Sequence, residues 1–372
     1  MLPLILRHNG LITSKSRQLL PLIRTFSCSK TQFEERVCII GSGNWGSAIS
    51  KIIGNNVKKH EEFNKEVKLW VHEEIINGEK LSQVINKRHE NVKYLPNIQL
   101  PSNLIACADL QESVRDATVL AFVVPHQFLK GICADLVNQV NPKAKAISLI
   151  KGIDASSKGI RLFSEEISET LGIETSVLSG ANIAQEVASE HFCETTIGSR
   201  IKEHGDMYRK LFDTEYFRVT VVDDVAGVEI CGALKNIVAI GAGIVDGLKL
   251  GENTKAAIMR IGLMETIKFA TTFYSGVKME TFFESCGVAD LITTCAGGRN
   301  RRVAEAHVTT GKSFTVLENE MLNGQKLQGT LAAKEVYEFL AARQMTAEYP
   351  LFTKVYDIVY RNKSPSTLVE NL

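Results

Sequence analysis

Short apolar runs alternate with longer amphipathic segments along the first part of the chain. Each run predicts a β-strand, because roughly four to eight apolar residues between polar segments are typical of a buried strand. The runs lie at 37–40, 66–71, 104–107, 118–124, 146–150 and 177–179. The alternation extends from Arg36 to about Asp224 and predicts an α/β fold with a Rossmann-like, doubly wound, mostly parallel sheet.

The pattern changes to helical spacing from about residue 225. The segment Val228–Val245 is long and apolar, but Glu229 and Lys235 make it a poor membrane span, so we expect a buried central helix. Further helices are predicted at 253–273, 290–307, 331–340 and 349–360. The chain is therefore expected to have a first domain at 34–224 and an all-helical second domain at 225–372.

The first 33 residues differ from the rest of the chain. They contain five basic residues and four serines, and no acidic residue precedes Glu34. This composition is typical of a mitochondrial targeting peptide, with 24–27 as a plausible processing region, and a disordered extension is the alternative.

Composition narrows the classes of function. The chain has 372 residues, enough for two domains, and a net charge of +1, so no overall field attracts nucleic acid or an anionic membrane. A bound anion must meet local cations instead. The eight cysteines form no C-x-x-C pair and no Cys/His cluster, which predicts a reducing compartment and no metal. Cys38 and Cys231 are expected in the core.

A glycine-rich turn follows the first predicted strand and opens a helix. Gly41 suits the tight turn, Gly43 leaves space for a diphosphate, and Gly46 permits close packing of helix on strand. The sequence therefore predicts a dinucleotide site, with a turn that binds no ligand as the alternative. Glu73 and Glu74 follow the second strand, where a carboxylate favours NAD over NADP, although both also fit a solvated loop.

Candidate acid and base groups lie at strand ends and in the central helix. Lys235 is a candidate proton donor to a ketone, because burial or a nearby cation lowers a lysine pKa towards neutrality. Lys151, after the strand at 146–150, is a candidate for that cation. A lysine paired with a buried acid is the structural alternative. His126 is the rival acid or base, although we favour a histidine that shapes its turn.

The segment Gly297–Arg302 has the composition of a phosphate site. Arg299 offers a forked donor and Asn300 a neutral one, just after two glycines that let a ligand approach. Arg301 and Arg302 are assigned to the surface or the helix start. The loop 324–329 is polar and bounded by glycines, and it is a candidate to close over a cofactor.

Seven motifs occur in an order that resembles NAD-dependent glycerol-3-phosphate dehydrogenase of the eukaryotic type. They are Gly41–Gly46, Val124–Phe128, Leu149–Gly152, Gly180–Ala184, Gly232–Asn236, Asn253–Ala257 and Gly297–Asn300. The resemblance runs from about Val37 to the end of the chain. It implies reversible reduction of dihydroxyacetone phosphate by NADH to sn-glycerol 3-phosphate, in a cytosolic homodimer without nucleic-acid or membrane partners. The basic leader keeps a mitochondrial location as the alternative.

The resemblance also implies roles for particular residues. Catalysis falls to Lys235 and Lys151. The implied substrate contacts are Lys151, Asn236, Asp290, Thr294, Arg299 and Asn300. The implied cofactor contacts are Gly41, Ser42, Gly43, Asn44, Trp45, Gly46, His72, Phe128, Ala184, Arg299, Lys326 and Gln328. The family carries phenylalanine near the adenine where this chain has His72, whose imidazole can still pack against a ring.

Two alternatives of other kinds remain open at this stage. A non-catalytic NAD-binding sensor would bind NADH without oxidising it. A β-hydroxyacid dehydrogenase of similar two-domain design would act on a carboxylate substrate instead of a phosphate. Lys235, Lys151 and Arg299 argue against the sensor.

Overall fold

Twelve strands and fourteen α-helices make up the part of the chain that the structure describes. The computed structural model describes residues 34–156 and 159–372, so the predicted leader at 1–33 lies outside the described residues. The strands are β1 Val37–Ile40, β2 Val67–Trp70, β3 Ile75–Ile76, β4 Glu79–Lys80, β5 Leu104–Cys107, β6 Val119–Phe122, β7 Lys145–Ser148, β8 Asp154–Ser156, β9 Gly159–Arg161, β10 Glu174–Ser179, β11 Cys193–Gly198 and β12 Phe217–Val222. The helices are α1 Asn44–Asn56, α2 Leu81–Arg88, α3 Leu110–Val114, α4 His126–Leu136, α5 Phe163–Leu171, α6 Ala184–Ala188, α7 Lys202–Phe212, α8 Val225–Leu248, α9 Glu252–Phe273, α10 Asp290–Gly297, α11 Arg299–Thr310, α12 Phe314–Leu322, α13 Gln328–Ala341 and α14 Pro350–Arg361.

The six predicted strands are neighbours in one eight-stranded sheet. Its order is β12-β11-β10-β7-β6-β1-β2-β5. The strands from β10 to β5 are parallel, and their order is that of a doubly wound dinucleotide-binding sheet. β11 pairs antiparallel to β10, and β12 runs parallel to β11. The prediction of a mostly parallel sheet is confirmed, and the sequence pattern missed β11 and β12.

Burial of the central strands explains their sequences. Every residue of β1 and β6 is buried, because helices cover both faces of the sheet. Cys38 in β1 is fully buried, as predicted for a small core residue. Because the parallel strands share one direction, the segments after β1, β6 and β7 meet at the carboxyl edge of the sheet, where such folds bind ligands.

The second half of the protein is built around α8. Asp224 begins this helix by accepting a hydrogen bond from the backbone N–H of Gly227 at 2.8 Å. α8 is long and apolar enough to span a membrane, but 94% of its most apolar window is buried within the protein. It packs against α9, α10, α11 and α13. The predicted buried central helix is confirmed, and Cys231 lies in its core.

The remaining helices follow the predicted pattern, except that α12 was not predicted and one predicted helix is divided in two. The segment 290–307 was expected to form one helix, but it forms α10 and α11. The chain is extended at Gly298, where an added Cβ would lie 2.6 Å from the carbonyl oxygen of Thr294, so a larger residue would not fit this break. The break places Arg299 at the first position of α11. Residues 34–372 form one compact unit, and the domain boundary at 224 stays a prediction.

Candidate active site

Protein atoms fill the space next to two glycines of the turn and leave the space next to the third open. Gly41 has a φ of +116°, and an added Cβ there would lie 2.6 Å from the carbonyl oxygen of Val123. A Cβ on Gly46 would lie 2.0 Å from the carbonyl oxygen of Gly41. Around Gly43 no atom of the described residues lies within 4 Å of such a Cβ. Packing therefore requires Gly41 and Gly46, whereas Gly43 borders free space.

The other residues of the turn hold its shape. The side-chain amide of Asn91 donates to the carbonyl oxygen of Ser42 at 2.8 Å, and the amide of Asn44 donates to the carbonyl oxygen of Tyr94 at 2.9 Å. Trp45 packs against Phe217, and both Trp45 and Ala184 pack against the apolar cluster of Ala48, Leu95 and Ala188. Trp45 and Ala184 therefore share one apolar cluster, and sequence reasoning did not find Asn91.

A cavity of about 440 Å³ opens beside the turn. Its wall includes Gly41, Ser42 and Gly43, together with Trp70, Tyr94, His72, Phe128 and Ile132. Phe128 is 56% exposed and borders this cavity. His72, expected near the adenine, and Phe128, expected to contact the cofactor, line the same space.

The two carboxylates after β2 have different environments. Glu73 accepts hydrogen bonds from the backbone N–H and the hydroxyl of Ser82, at 3.1 and 2.6 Å, and so holds the first turn of α2. Glu74 lines the 440 Å³ cavity, where hydrogen bonds from Lys93 and Tyr94 lower its pKa. The structure therefore selects Glu74, and not Glu73, as the carboxylate that faces the cavity.

Three charged groups and a hydroxyl meet behind a second cavity. The ammonium of Lys235 donates to Asp290 at 2.5 Å and to the Thr294 hydroxyl at 2.6 Å. The ammonium of Lys151 donates to the other oxygen of Asp290 at 2.8 Å and to the carbonyl oxygen of Gly180 at 3.0 Å. Asp290 is 2% exposed, so its carboxylate depends on these two lysines for compensation of its charge.

Burial and charge set the protonation of this group. Burial, and then the charge of Lys151, lower the pKa of Lys235 to about 8, although Asp290 opposes both effects. Burial opposes ionisation of Asp290, but Lys151 and Lys235 outweigh it and lower the pKa of that carboxyl. Near neutral pH the site therefore holds two ammonium groups around one carboxylate.

The second cavity has a volume of about 240 Å³ and a strongly basic lining. It is lined by Lys151, Lys235, Asn236, Thr294, Arg299, Asn300, Lys326, Leu327 and Gln328. Four of these side chains are cationic, and Asp290 lies directly behind two of them. This charge suits a small dianion such as a phosphate ester.

Hydrogen bonds fix the floor and the rim of the 240 Å³ cavity. The amide of Asn300 donates to the side-chain oxygen of Asn236 at 3.0 Å and accepts from the backbone N–H of Gly329 at 2.9 Å. Arg299 donates to Gln325 at 2.9 Å, and Lys326 pairs with the buried Glu318 at 2.8 Å. The polar loop predicted at 324–329 therefore borders the cavity, and α13 begins within it at Gln328.

His126 lies outside the 240 Å³ cavity. Its ring stacks on Phe163 with centroids 5.6 Å apart, and burial lowers its pKa. This position agrees with a histidine that shapes its turn. Arg301 pairs with Asp246 at 2.6 Å and does not line the cavity.

The predicted substrate residues are brought together, and the predicted cofactor residues fall into two groups. Gly41–Gly43, His72 and Phe128 surround the first cavity, whereas Arg299, Lys326 and Gln328 line the second. Residue patterns alone did not find Asp290, Thr294, Tyr94 or Asn91. No signal of spacing marks these residues, because each one meets its partner only through the tertiary fold.

Family profiles agree with this geometry. The profile of the NAD-dependent glycerol-3-phosphate dehydrogenase N-terminus matches residues 36–205, and that of the C-terminus matches residues 224–370. The chain belongs to the NAD-dependent glycerol-3-phosphate dehydrogenase family. It is therefore an NAD-dependent oxidoreductase that acts on a CH–OH group, and the sensor and the β-hydroxyacid dehydrogenase are not favoured.

Similar proteins extend over nearly all of the described chain. The human glycerol-3-phosphate dehydrogenase 1-like protein is 58% identical over 329 residues, covering 88% of this chain and 94% of the relative. The cytoplasmic NAD(+) glycerol-3-phosphate dehydrogenase of Bos taurus is 57% identical over 330 residues, covering 88% and 95%. A solved glycerol-3-phosphate dehydrogenase from Saccharomyces cerevisiae aligns with a TM-score of 0.87 at 49% identity, covering 90% of this chain and 98% of that one.

The residues of this dehydrogenase fit the cofactor of its family. The space at Gly43, the 440 Å³ cavity and the start of α1 together offer a diphosphate cradle beside an apolar pocket. Among residues 34–156 and 159–372, no group of three His, Cys, Asp or Glu side chains is arranged to hold a metal ion. NAD is the cofactor of this enzyme.

Proposed function

We propose that Lys235 is the general acid and base for interconversion of dihydroxyacetone phosphate and sn-glycerol 3-phosphate. The observation that carries this proposal is the buried ammonium, held by Asp290 at 2.5 Å and Thr294 at 2.6 Å on the wall of a basic cavity. Because its pKa is lowered to about 8, this lysine can both give up and regain a proton near neutral pH.

Bound NADH supplies the hydride to the ketone carbon. As negative charge develops on the ketone oxygen, Lys235 transfers a proton to it, and in the reverse direction the neutral amine removes the proton from the alcohol. Asp290 and Thr294 orient the Lys235 ammonium. Lys151 keeps the pKa of Lys235 low and contributes a second positive charge to the substrate.

We assign the phosphate of the substrate to the mouth of the basic cavity. Arg299 is exposed at the start of α11, where its fork and the N-terminus of the helix both favour an anion. Asn300 and Asn236 are hydrogen bonded to each other and present their amides to the same space. Fixing the phosphate holds the ketone carbon in place for hydride transfer.

We assign cofactor contacts to both cavities. The glycine turn, including Ser42 and Asn44, receives the diphosphate, and His72 with Phe128 receives the adenine. We propose that the rest of the cofactor contacts Arg299, Lys326 and Gln328, which line the second cavity, and Ala184, which packs against the same apolar cluster as Trp45. A contact of Arg299 with both the substrate and the cofactor would fix the position of each ligand relative to the other.

The substitution Lys235→Ala tests the role of the lysine. We expect turnover to fall by about a thousandfold or more, because general acid catalysis is lost together with the charge. NADH affinity, measured by fluorescence titration, should stay near that of the parent enzyme. Turnover close to that of the parent would remove Lys235 from this role.

The substitution Arg299→Ala tests the phosphate assignment. We expect the KM for dihydroxyacetone phosphate to rise by about a hundredfold, since a charge-assisted, forked contact is removed. Arg302→Ala is the matched control, because Arg302 is exposed on the same helix and does not line the cavity. An Arg299 variant with the KM and turnover of the parent would contradict the assignment.

We further propose that the enzyme is a homodimer in the cytosol. The family resemblance supports the dimer, and the word cytoplasmic in the names of the Bos taurus and Drosophila melanogaster relatives supports the location. Imaging of a tagged full-length chain tests the compartment, and accumulation in mitochondria would contradict it.

A further inference from the structure

A third cavity is lined in part by the lysine loop, the segment 149–153 that follows β7 and contains Lys151. It has a volume of about 210 Å³, and its lining includes His126, Asp154, Arg161, Phe163 and Glu335. β8, β9, α13 and the first turns of α4 and α5 meet around it. None of the residues assigned to substrate or cofactor lines this cavity.

A narrow cavity lies between this region and the active site. His126 and Glu335 line both the 210 Å³ cavity and the narrow one, whose lining also includes Gly152, Asn236 and Gln328. Asn236 and Gln328 also line the basic cavity that contains Lys235. Glu335 is therefore separated from the basic cavity by one narrow cavity that shares lining residues with both.

Glu335 and Asp154 each lie on a segment that also carries a residue of the active site. Glu335 follows Gln328 by about two turns of α13, so both residues lie on the same face of that helix. Asp154 begins β8, three residues after Lys151, and β8 packs against α13. Glu335 therefore shares α13 with Gln328, and Asp154 lies on the segment that continues from Lys151 into β8.

The charges around Glu335 make the packing of α13 against β8 sensitive to the protonation of Glu335. Burial, and then the charge of Asp154, raise the pKa of Glu335 to about 7. The charged or titratable groups that face it are His126 and Lys130 on α4, Asp154 on β8, Arg161 on β9, Glu166 on α5, and Lys334 and Glu338 on α13 itself. Arg161 is held by Glu166 at 2.5 Å, and burial favours the neutral form of His126. When it ionises, Glu335 thus meets a second carboxylate.

We propose that Glu335 and Asp154 are positioning residues that make the affinity of the active site for its substrate depend on pH. With Glu335 protonated, α13 packs against β8 and keeps Gln328 opposite the lysine loop. With Glu335 ionised, repulsion from Asp154 loosens that packing and widens the substrate cavity. Neither residue contacts the reacting atoms.

The experiment compares kcat/KM for dihydroxyacetone phosphate in the parent and three variants over a range of pH. We expect the ratio of Glu335→Gln to parent to be close to one in mild acid and to rise by about threefold in mild alkali, since only the parent acquires the repulsion. Asp154→Asn removes the repulsion from the other side and should give the same trend. Glu203→Gln is the control, because Glu203 is exposed on α7 and lines none of these cavities, and its ratio should stay constant.

Titration of Lys235 and of the substrate phosphate is common to all variants and cancels in these ratios. A pH-independent ratio for Glu335→Gln would overturn the proposal, as would a ratio for Glu203→Gln that follows the same trend. Thermal melting in acid and in alkali identifies a variant that fails to fold, and Asp154→Asn then decides the outcome. The result does not depend on the role of Lys235, which the alanine variant tests separately.

Discussion

At position 235 a lysine is buried in the longest apolar helix, and its surroundings make that placement tolerable. An isolated ammonium in such a helix would be strongly destabilising, but Asp290 and Thr294 bind it at 2.5 and 2.6 Å. Lys151 binds the same carboxylate at 2.8 Å. One buried acid therefore stabilises two cations and leaves their surplus charge facing the basic cavity.

The proposed role of Lys235 predicts the pH dependence of both reaction directions. Ketone reduction needs the ammonium, so its rate should fall as pH rises through about 8, whereas alcohol oxidation needs the neutral amine and should rise over the same range. Lys151→Met removes a charge that lowers the pKa of Lys235, so both midpoints should move to higher pH. Initial rates of NADH absorbance change, measured in each direction, check this shift.

Lys143→Met provides the control for charge removal, because Lys143 is exposed in the turn before β7 and is absent from the lining of the basic cavity. Its midpoints should match those of the parent. A Lys151→Met enzyme with an unshifted midpoint would show that Lys151 does not set the pKa of Lys235.

At the scale of elements, the turn from β1 to α1 separates packing from binding. The protein occupies the space next to Gly41 and Gly46 but leaves the space next to Gly43 free. Gly43 also has a φ of −64° and a ψ of −172°, which any residue can adopt. Its value to the protein therefore lies in the space it leaves for a ligand.

Two glycine variants test this separation. Gly43→Ala should keep the free energy of unfolding within about 0.5 kcal/mol of the parent and raise the Kd for NADH at least about tenfold, because the methyl group fills the path of the diphosphate. Gly46→Ala should lower the free energy of unfolding by about 1–3 kcal/mol, since its Cβ would lie 2.0 Å from a carbonyl oxygen. Denaturant melts and fluorescence titrations measure both. Parent-like NADH affinity in Gly43→Ala would refute the assignment.

At the scale of the whole molecule, one surface of the helical half is unusually apolar. Met264 on α9, Met279 and Phe283 in the following 3₁₀ turn, and Ile292 on α10 are between 46% and 69% exposed. α9 contacts both the 3₁₀ turn and α10, so these four side chains, the apolar patch, lie on adjoining elements. Such a patch is typical of an interface between copies of a chain.

The oligomeric state tests that interface. Phe283→Ser should shift the enzyme from dimer towards monomer in sedimentation velocity, because it removes the most exposed aromatic side chain of the patch. Phe192→Ser is the control, since Phe192 is 70% exposed next to β11 in the other half. A parent enzyme that sediments as a monomer would contradict the proposed homodimer. If the Phe192 variant dissociates and the Phe283 variant does not, the interface includes Phe192 instead of the apolar patch.

The sequence by itself determined the parallel sheet, the glycine turn, the central helix and the ordered motifs of the family. Each of these rests on local periodicity or local backbone geometry, which neighbouring residues specify. β11 was missed because its alternation of polar and apolar residues is weak, and β12 was missed because Arg218 and Thr220 interrupt its apolar residues, so it forms no continuous apolar run. The helix break at Gly298 was missed because helical spacing continues across it.

Only the tertiary structure decided which distant side chains meet. Asp290 joins Lys235 across 55 positions and Lys151 across 139, and no period in the sequence links such residues. The choice of Glu74 over Glu73 depends on which neighbour turns towards Ser82. Periodicity fixes the face of an element that is buried, whereas the partner of a buried charge is fixed by how the elements pack.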